Sequence, residues 1–158
     1  TANEAVYPLA RLIDLIDRMQ LKPDAAAIAA ALQDPLPVVR YWGAIAAIRA
    51  SAVSATTIEK ALSDVEPMIR VAAAQALLRR GESAVAWRAI EGGLAPANSA
   101  ELRLAALNVI TLQPKWPDSL KPLIKAAGAG SSRGGENYAS RAADFLLGVV
   151  SEQGGGGD

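Results

Sequence analysis

Neither cysteine nor histidine occurs anywhere in the 158 residues, and each absence removes a block of chemistry. Without cysteine there are no disulfides and no thiolate nucleophiles. Without histidine there is no imidazole base, and the loss of both excludes nearly every zinc or copper site. The missing cysteine leaves the redox compartment open, since such a chain is equally viable in cytosol, periplasm or outside the cell. Sixteen basic and sixteen acidic residues cancel, so no global field draws the chain onto nucleic acid or an anionic membrane. No apolar run approaches the roughly 18 residues needed to span a bilayer, and no basic-then-apolar signal segment is present. The first residue is Thr rather than Met, from which we expect a processed or excised piece.

What is present is small and aliphatic. The hydrophobic fraction is 51% while aromatics make up only 4%, and alanine supplies much of the difference. Such a composition is helical, and it lets helix backbones approach closely. Helical spacing runs from Glu4 to Gln20 through Leu9, Leu12, Ile13, Leu15, Ile16 and Met19. Asp24 can cap a helix from Ala25 to Leu32, and a proline turn then leads to a partner helix from Val38 to Ala50. The cycle repeats with Thr56 or Thr57 capping Ile58 to Leu62, a turn, and Met68 to Arg80 stopped by Gly81. Looser copies follow at Ala84 to Leu112 and at Ser119 to Val150. Arg40, Arg70, Arg103 and Arg141 mark the register at intervals of 30, 33 and 38 residues.

One helix–turn–helix per period of this size predicts an all-α fold, an α-solenoid of about four repeats preceded by one helix. Its expected parts are an N-terminal helix over residues 1–22, the solenoid over 23–150 and a disordered glycine-rich tail over 151–158.

The two middle copies share a polar pair. Asp34 precedes Arg40, and Asp64 precedes Arg70, by six residues across the turn. Asp can accept from free N–H groups at the start of the second helix. Arg can reach the Asp of its own or the adjacent repeat with a two-pronged contact. Asp34, Arg40, Asp64 and Arg70 are therefore expected to form a structural ladder. A catalytic role is disfavoured, because there is no accompanying base or nucleophile and the pair recurs where no second active site is wanted.

The series Asp34, Pro35, Pro37, Val39, Arg40, Gly43, Ala46, and again Asp64, Pro67, Ile69, Arg70, Ala73, Ala76, resembles the HEAT-repeat family. Leu102 to Leu107 keeps its Arg and small residues, and Ser140 to Ala143 keeps less. A narrower resemblance, carried by Tyr7 to Ile13 and by Pro35 to Ala44 with its Val39-Arg40-Tyr41-Trp42-Gly43-Ala44 string, is to the C-terminal HEAT-like tail of certain bacterial sulfatases. It implies a non-catalytic scaffolding domain that docks on a catalytic domain or a partner protein. It also implies a periplasmic or secreted location; otherwise the chain is expected in the cytoplasm. The sulfatase nucleophile motif and metal cluster are missing from the chain, so no enzyme activity, catalytic residue, cofactor or metal is expected of it alone.

The expected interaction face is Tyr41, Trp42, Ile45 and Ile48 on the second helix of the first repeat, continued by Gln75, Arg79 and Asn108. Tyr41, Ala44, Ile45 and Ile48 form a partly exposed apolar stripe in this reading. Two further readings are weighed beside it. One is a self-standing HEAT-like enzyme subunit resembling a phycobilin lyase, which needs a deep cavity with acid and base groups. The other is weak nucleic-acid binding through Arg40, Arg49, Arg70, Arg79, Arg80 and Arg103, against which the zero net charge stands. Gly128 to Gly135 has a phosphate loop's glycines but lacks its Gly-Lys-Ser/Thr ending.

Overall fold

A computed structural model describes residues 24–81, 83–129 and 138–148, together with Asp14 and Asp17. The described residues are all-α, with no strand among them. The Glu4 to Gln20 helix lies outside them except for Asp14 and Asp17, which are helical and exposed. The glycine-rich stretch after Ala129 and the tail lie outside them too. No described helix is long and apolar enough to cross a membrane. The chain divides into two compact units, Thr1–Ile90 and Glu91–Asp158.

The first unit holds two complete repeats. The first is α1 (Ala25–Ala31) and α2 (Pro37–Arg49); the second is α3 (Ala55–Ala61) and α4 (Pro67–Leu78). The Asp24 carboxylate caps α1, accepting from the N–H groups of Ala26 and Ala27. Ser54, rather than Thr56 or Thr57, caps α3: its extended backbone aims Oγ at the Thr57 N–H. The Thr57 hydroxyl is drawn into a 2.7 Å bond with the same Ser54 Oγ. Both second helices start on their proline, one residue earlier than the periodicity predicts. Pro37 and Pro67 sit in the first turn, where a missing N–H leaves no bond unmade. Helix α4 ends at Leu78, and Gly81 at φ 144° turns the chain in the left-handed region.

Each second helix packs on its own first helix, and α2 packs along α4. Ile28, Val39, Ala46, Ala47, Ile58, Ile69, Ala73 and Ala76 are buried in this unit. The side chains are small, so the backbones come close. A Cβ on Gly43 would lie 3.0 Å from Ala31 Cβ and 3.0 Å from Leu32 N, so any side chain there would make the end of α1 give by a few tenths of an ångström.

Helix α5 (Ala84–Gly93) leads from the first unit into the second. The second unit contains α6 (Ala100–Thr111), capped by Ser99, then a 3-10 turn at Asp118–Leu120, α7 (Lys121–Gly128) and α8 (Tyr138–Leu147). Helix α8 packs on both α6 and α7. Asn98 ties the turn before α6 to the preceding helix by donating to the carbonyls of Gly92 and Gly93 at 2.7 and 3.0 Å.

Gly43→Ala sets two terms against each other. Better helix propensity contributes up to about 1 kcal/mol, while crowding against main-chain atoms that cannot rotate away costs about 1–3 kcal/mol. We expect a net loss of about 1 kcal/mol in urea unfolding. The same change at exposed Gly92, where an added Cβ meets nothing within 4 Å, is expected to stabilise by up to about 1 kcal/mol.

Candidate protein-docking site

The geometry of the two turns is repeated in detail, and among the described residues one arginine joins one repeat's turn to the next. Asp34 Oδ1 accepts from Leu36 N at 2.9 Å, and Asp64 Oδ1 accepts from Glu66 N at 2.9 Å. The acceptors thus tie down the residue just before each second helix, rather than the helix's own first N–H groups. Arg40 Nη1 donates to the carbonyls of Asp34 and Pro35 at 3.0 and 3.2 Å; Arg70 Nη1 donates to those of Asp64 and Val65 at 2.6 and 3.2 Å. Each arginine so closes its own turn. The other edge of Arg40 crosses to the next repeat, where Nε and Nη2 fork onto Asp64 Oδ2 and Oδ1 at 2.7 and 3.1 Å. The partner is the adjacent repeat's Asp, a choice the sequence leaves open.

Burial alone would push the Asp64 carboxyl up. The hydrogen bonds from Arg40 and Glu66 N–H, with the charges of Arg40 and Arg70, outweigh it and hold the group below the ordinary carboxylate value. The Arg40 guanidinium is shifted up in turn, chiefly by its hydrogen bond to Asp64.

A second clamp sits at the opposite end of α2. Arg80, just past α4, donates through Nη2 to the carbonyls of Ala47 and Ala50, and through Nη1 to that of Val53. A cation there satisfies carbonyls at a helix C-terminus, where the dipole favours positive charge. Three of the six arginines considered for nucleic-acid binding are therefore committed to holding helices together. Arg49 and Arg79 are exposed. Arg103, in α6 of the second unit, is buried, and its Nε has no hydrogen-bond partner among the described residues.

The residues of the expected interaction face differ in exposure. Tyr41, Ile45 and Ile48 are half-buried along α2. Trp42 is half-buried too, and it packs with Leu36 against Ala31 and Val39, touching Tyr41 edge-on with ring centres 6.0 Å apart. Ala44, expected on the stripe, is fully buried, because α2 has α1, α3 and α4 around it. On α4, Gln75 is half-buried, but Val71 and Leu78, at the register of Tyr41 and Ile48, are buried. The half-exposed apolar stripe belongs to α2 and does not recur on α4. Arg79 is exposed beyond α4, and Asn108 is exposed on α6 in the second unit.

What sequence reasoning missed is the other end of the stripe. The first turns of α2 and α4 enclose an open apolar groove of about 360 Å³. Pro37, Val38 and Tyr41 line one side, Met68 and Ile69 the other, and Glu66 is the one charged residue of the lining. Val38 is 41% exposed. The signal was available: Val38, Tyr41, Ile45 and Ile48 follow a three-four-three helical spacing. Comparison with protein-family models, curated proteins and solved structures returns no match.

Removing one partner of a largely buried ion pair strands the other. Arg40→Met is therefore expected to cost about 3 kcal/mol in urea unfolding. Arg103→Met removes a buried charge at similar volume without breaking a bond to its Nε, so it is expected to be neutral or to stabilise by about 1 kcal/mol. Because the folded pKa of Asp64 is depressed, its pairing contributes fully above the unfolded value of about 4 and is lost as pH falls through the lower, folded value. Urea midpoints of the wild type and Asp64→Asn, well separated at neutral pH, should converge as the pH is lowered through that window.

Proposed function

We propose that this chain is a non-catalytic, HEAT-like docking domain that receives an apolar segment of a protein partner in the groove between α2 and α4. The observation that carries the reading is the groove itself. It is an apolar surface across two helices whose mutual position is set at both ends by arginines, so it is held in shape before anything binds. A preformed apolar site loses little ordering entropy on association. The lining has one carboxylate, Glu66, and one phenol, Tyr41, a poor endowment for the acid–base chemistry of a self-standing lyase-like subunit. The commitment of Arg40, Arg70 and Arg80 to main-chain and carboxylate oxygens speaks against nucleic acid.

In its fuller form, the proposal makes the partner the catalytic domain of a sulfatase-like hydrolase on the same polypeptide. Its support is the Val39–Ala44 string and the opening Tyr7–Ile13, together with the absence of the hydrolase's own machinery from this chain.

An immunoblot of the source cell against this domain tests that form. A native band far above 16.4 kDa supports it, and a band at the chain's own mass sinks it. In the native polypeptide, Val38→Asp is expected to speed proteolytic release of the domain about tenfold, the effect of roughly 1.4 kcal/mol of lost docking. The urea midpoint of the isolated domain should hold, since a carboxylate in the first turn of α2 suits the helix dipole. Unchanged release would remove the groove from the docking surface.

A further inference from the structure

Arg40, Arg70, Arg103 and Arg141 mark one register along the second helices of the four pairs. One helical turn after each arginine stand Ala44, Ala74, Leu107 and Phe145. The first three are fully buried. Phe145, the chain's one phenylalanine, is 75% exposed on α8. Tyr138, seven residues earlier and so on the same stripe, is 60% exposed.

The difference lies in what surrounds each helix. Helix α2 has α1, α3 and α4 around it, whereas α8, among the described residues, packs on α6 and α7. The inner side of α8 is taken by Ala139 and Ala143, which are buried. Its outer side carries Tyr138, half-buried Ala142 and Phe145. The end of a helical stack ordinarily shows a polar outer face, because nothing further packs on it. Two exposed aromatic rings on one stripe are the reverse of a cap, and such a patch marks an interface.

The stripe is complementary to itself. Tyr138 and Phe145 lie about 10 Å apart along the helix axis. A two-fold axis passing between Arg141 and Ala142 makes two α8 helices antiparallel and sets each Tyr138 against the Phe145 of the other copy. Ala142, at the centre, is small enough to let the backbones approach. Arg141 and Asp144 flank the stripe with opposite signs, so two copies of the face bring no net like charge together.

We propose that this chain forms a two-fold symmetric dimer through α8, with Tyr138 and Phe145 of the two copies interleaved in an antiparallel helix pair. Such a contact closes on itself and builds no filament. The inference rests on α8 and its register, and is independent of what binds the α2–α4 groove.

The test is sedimentation velocity of the whole chain from about 1 to about 300 μM, a range that brackets a small helix-on-helix interface. The wild type is expected to move from the 16.4 kDa monomer toward twice that mass as concentration rises. Phe145→Ser is expected to weaken association at least about tenfold, through loss of one aromatic anchor from each copy. Its urea midpoint at low concentration should match the wild type, because the ring is exposed in the monomer. Val38→Asp, in the groove, is expected to change association less than about twofold. A monomer throughout the range would overturn the proposal, as would a dimer that Phe145→Ser leaves intact or that Val38→Asp dissociates. The lack of native cysteine lets the geometry be read as well. A short bis-maleimide should join Ala142→Cys, beside the axis, into a covalent dimer, and should not join Val85→Cys, which is exposed on α5. Equal yields from the two would reject the antiparallel α8 pair.

Discussion

The guanidinium of Arg40 touches two repeats at once, and the arrangement of the first unit follows from that. One nitrogen holds the carbonyls of its own turn; two others fork onto Asp64 of the next. Asp64 is doubly engaged as well, since the oxygen that accepts from Arg40 Nη2 also accepts from the Glu66 N–H. Desolvating such a pair is costly, and the cost is offset only where every prong finds its partner. Here the fork is bidentate and the remaining Nη1 is spent on carbonyls. The pair therefore favours one mutual placement of α2 and α4 over its neighbours, because a slip of one helical position would strand both charges.

That selectivity matters because the packed faces are so plain. Gly43, Ala46 and Ala47 on α2, with Ala73 and Ala76 on α4, are buried and small. Small residues permit close approach but interlock weakly, since large shape-complementary side chains supply much of a core's uniqueness. Directional polar contacts supply it here, with Arg40 at one end of α2 and Arg80 at the other. Between first turns held in this way, Val38 and Tyr41 face Met68 and Ile69 across an open groove. The surface best suited to a partner is a by-product of the interactions that fix the repeats.

Much of this was legible beforehand. The Asp-to-Arg spacing and the small-residue helices pointed to stacked helical pairs, and Asp24 announced itself as a cap. The misreadings share one cause. Trp42 and Tyr41 are adjacent in sequence but 100° apart on the helix, and which of them packs on Ala31 depends on where α1 lies. Ala44 has the same helical spacing from Tyr41 that an exposed neighbour would have, yet α3 and α4 leave it no solvent. Ser54 outranks two threonines as the cap because its backbone happens to be extended at that point. Arg80 was weighed among the arginines for nucleic-acid binding; its partners are carbonyls more than 25 residues away in sequence. A carbonyl has no side-chain identity, so nothing in the sequence marks it as an arginine's partner.

By itself, the sequence determined that the chain is helical, that its helices pair at a repeating interval, and that Asp34, Arg40, Asp64 and Arg70 hold matching places in two turns. These depend on local preference and on periodicity, which are properties of neighbouring residues. The tertiary structure decided that Arg40 reaches forward to the next repeat, that Arg80 clamps the far end of α2, that Trp42 is packed while Val38 is open, and that Arg103 is buried with an Nε unmet among the described residues. Those outcomes depend on which surfaces meet. A residue's type sets what bonds it can make, but the distance and angle to its partner are set by helices whose positions no local stretch encodes.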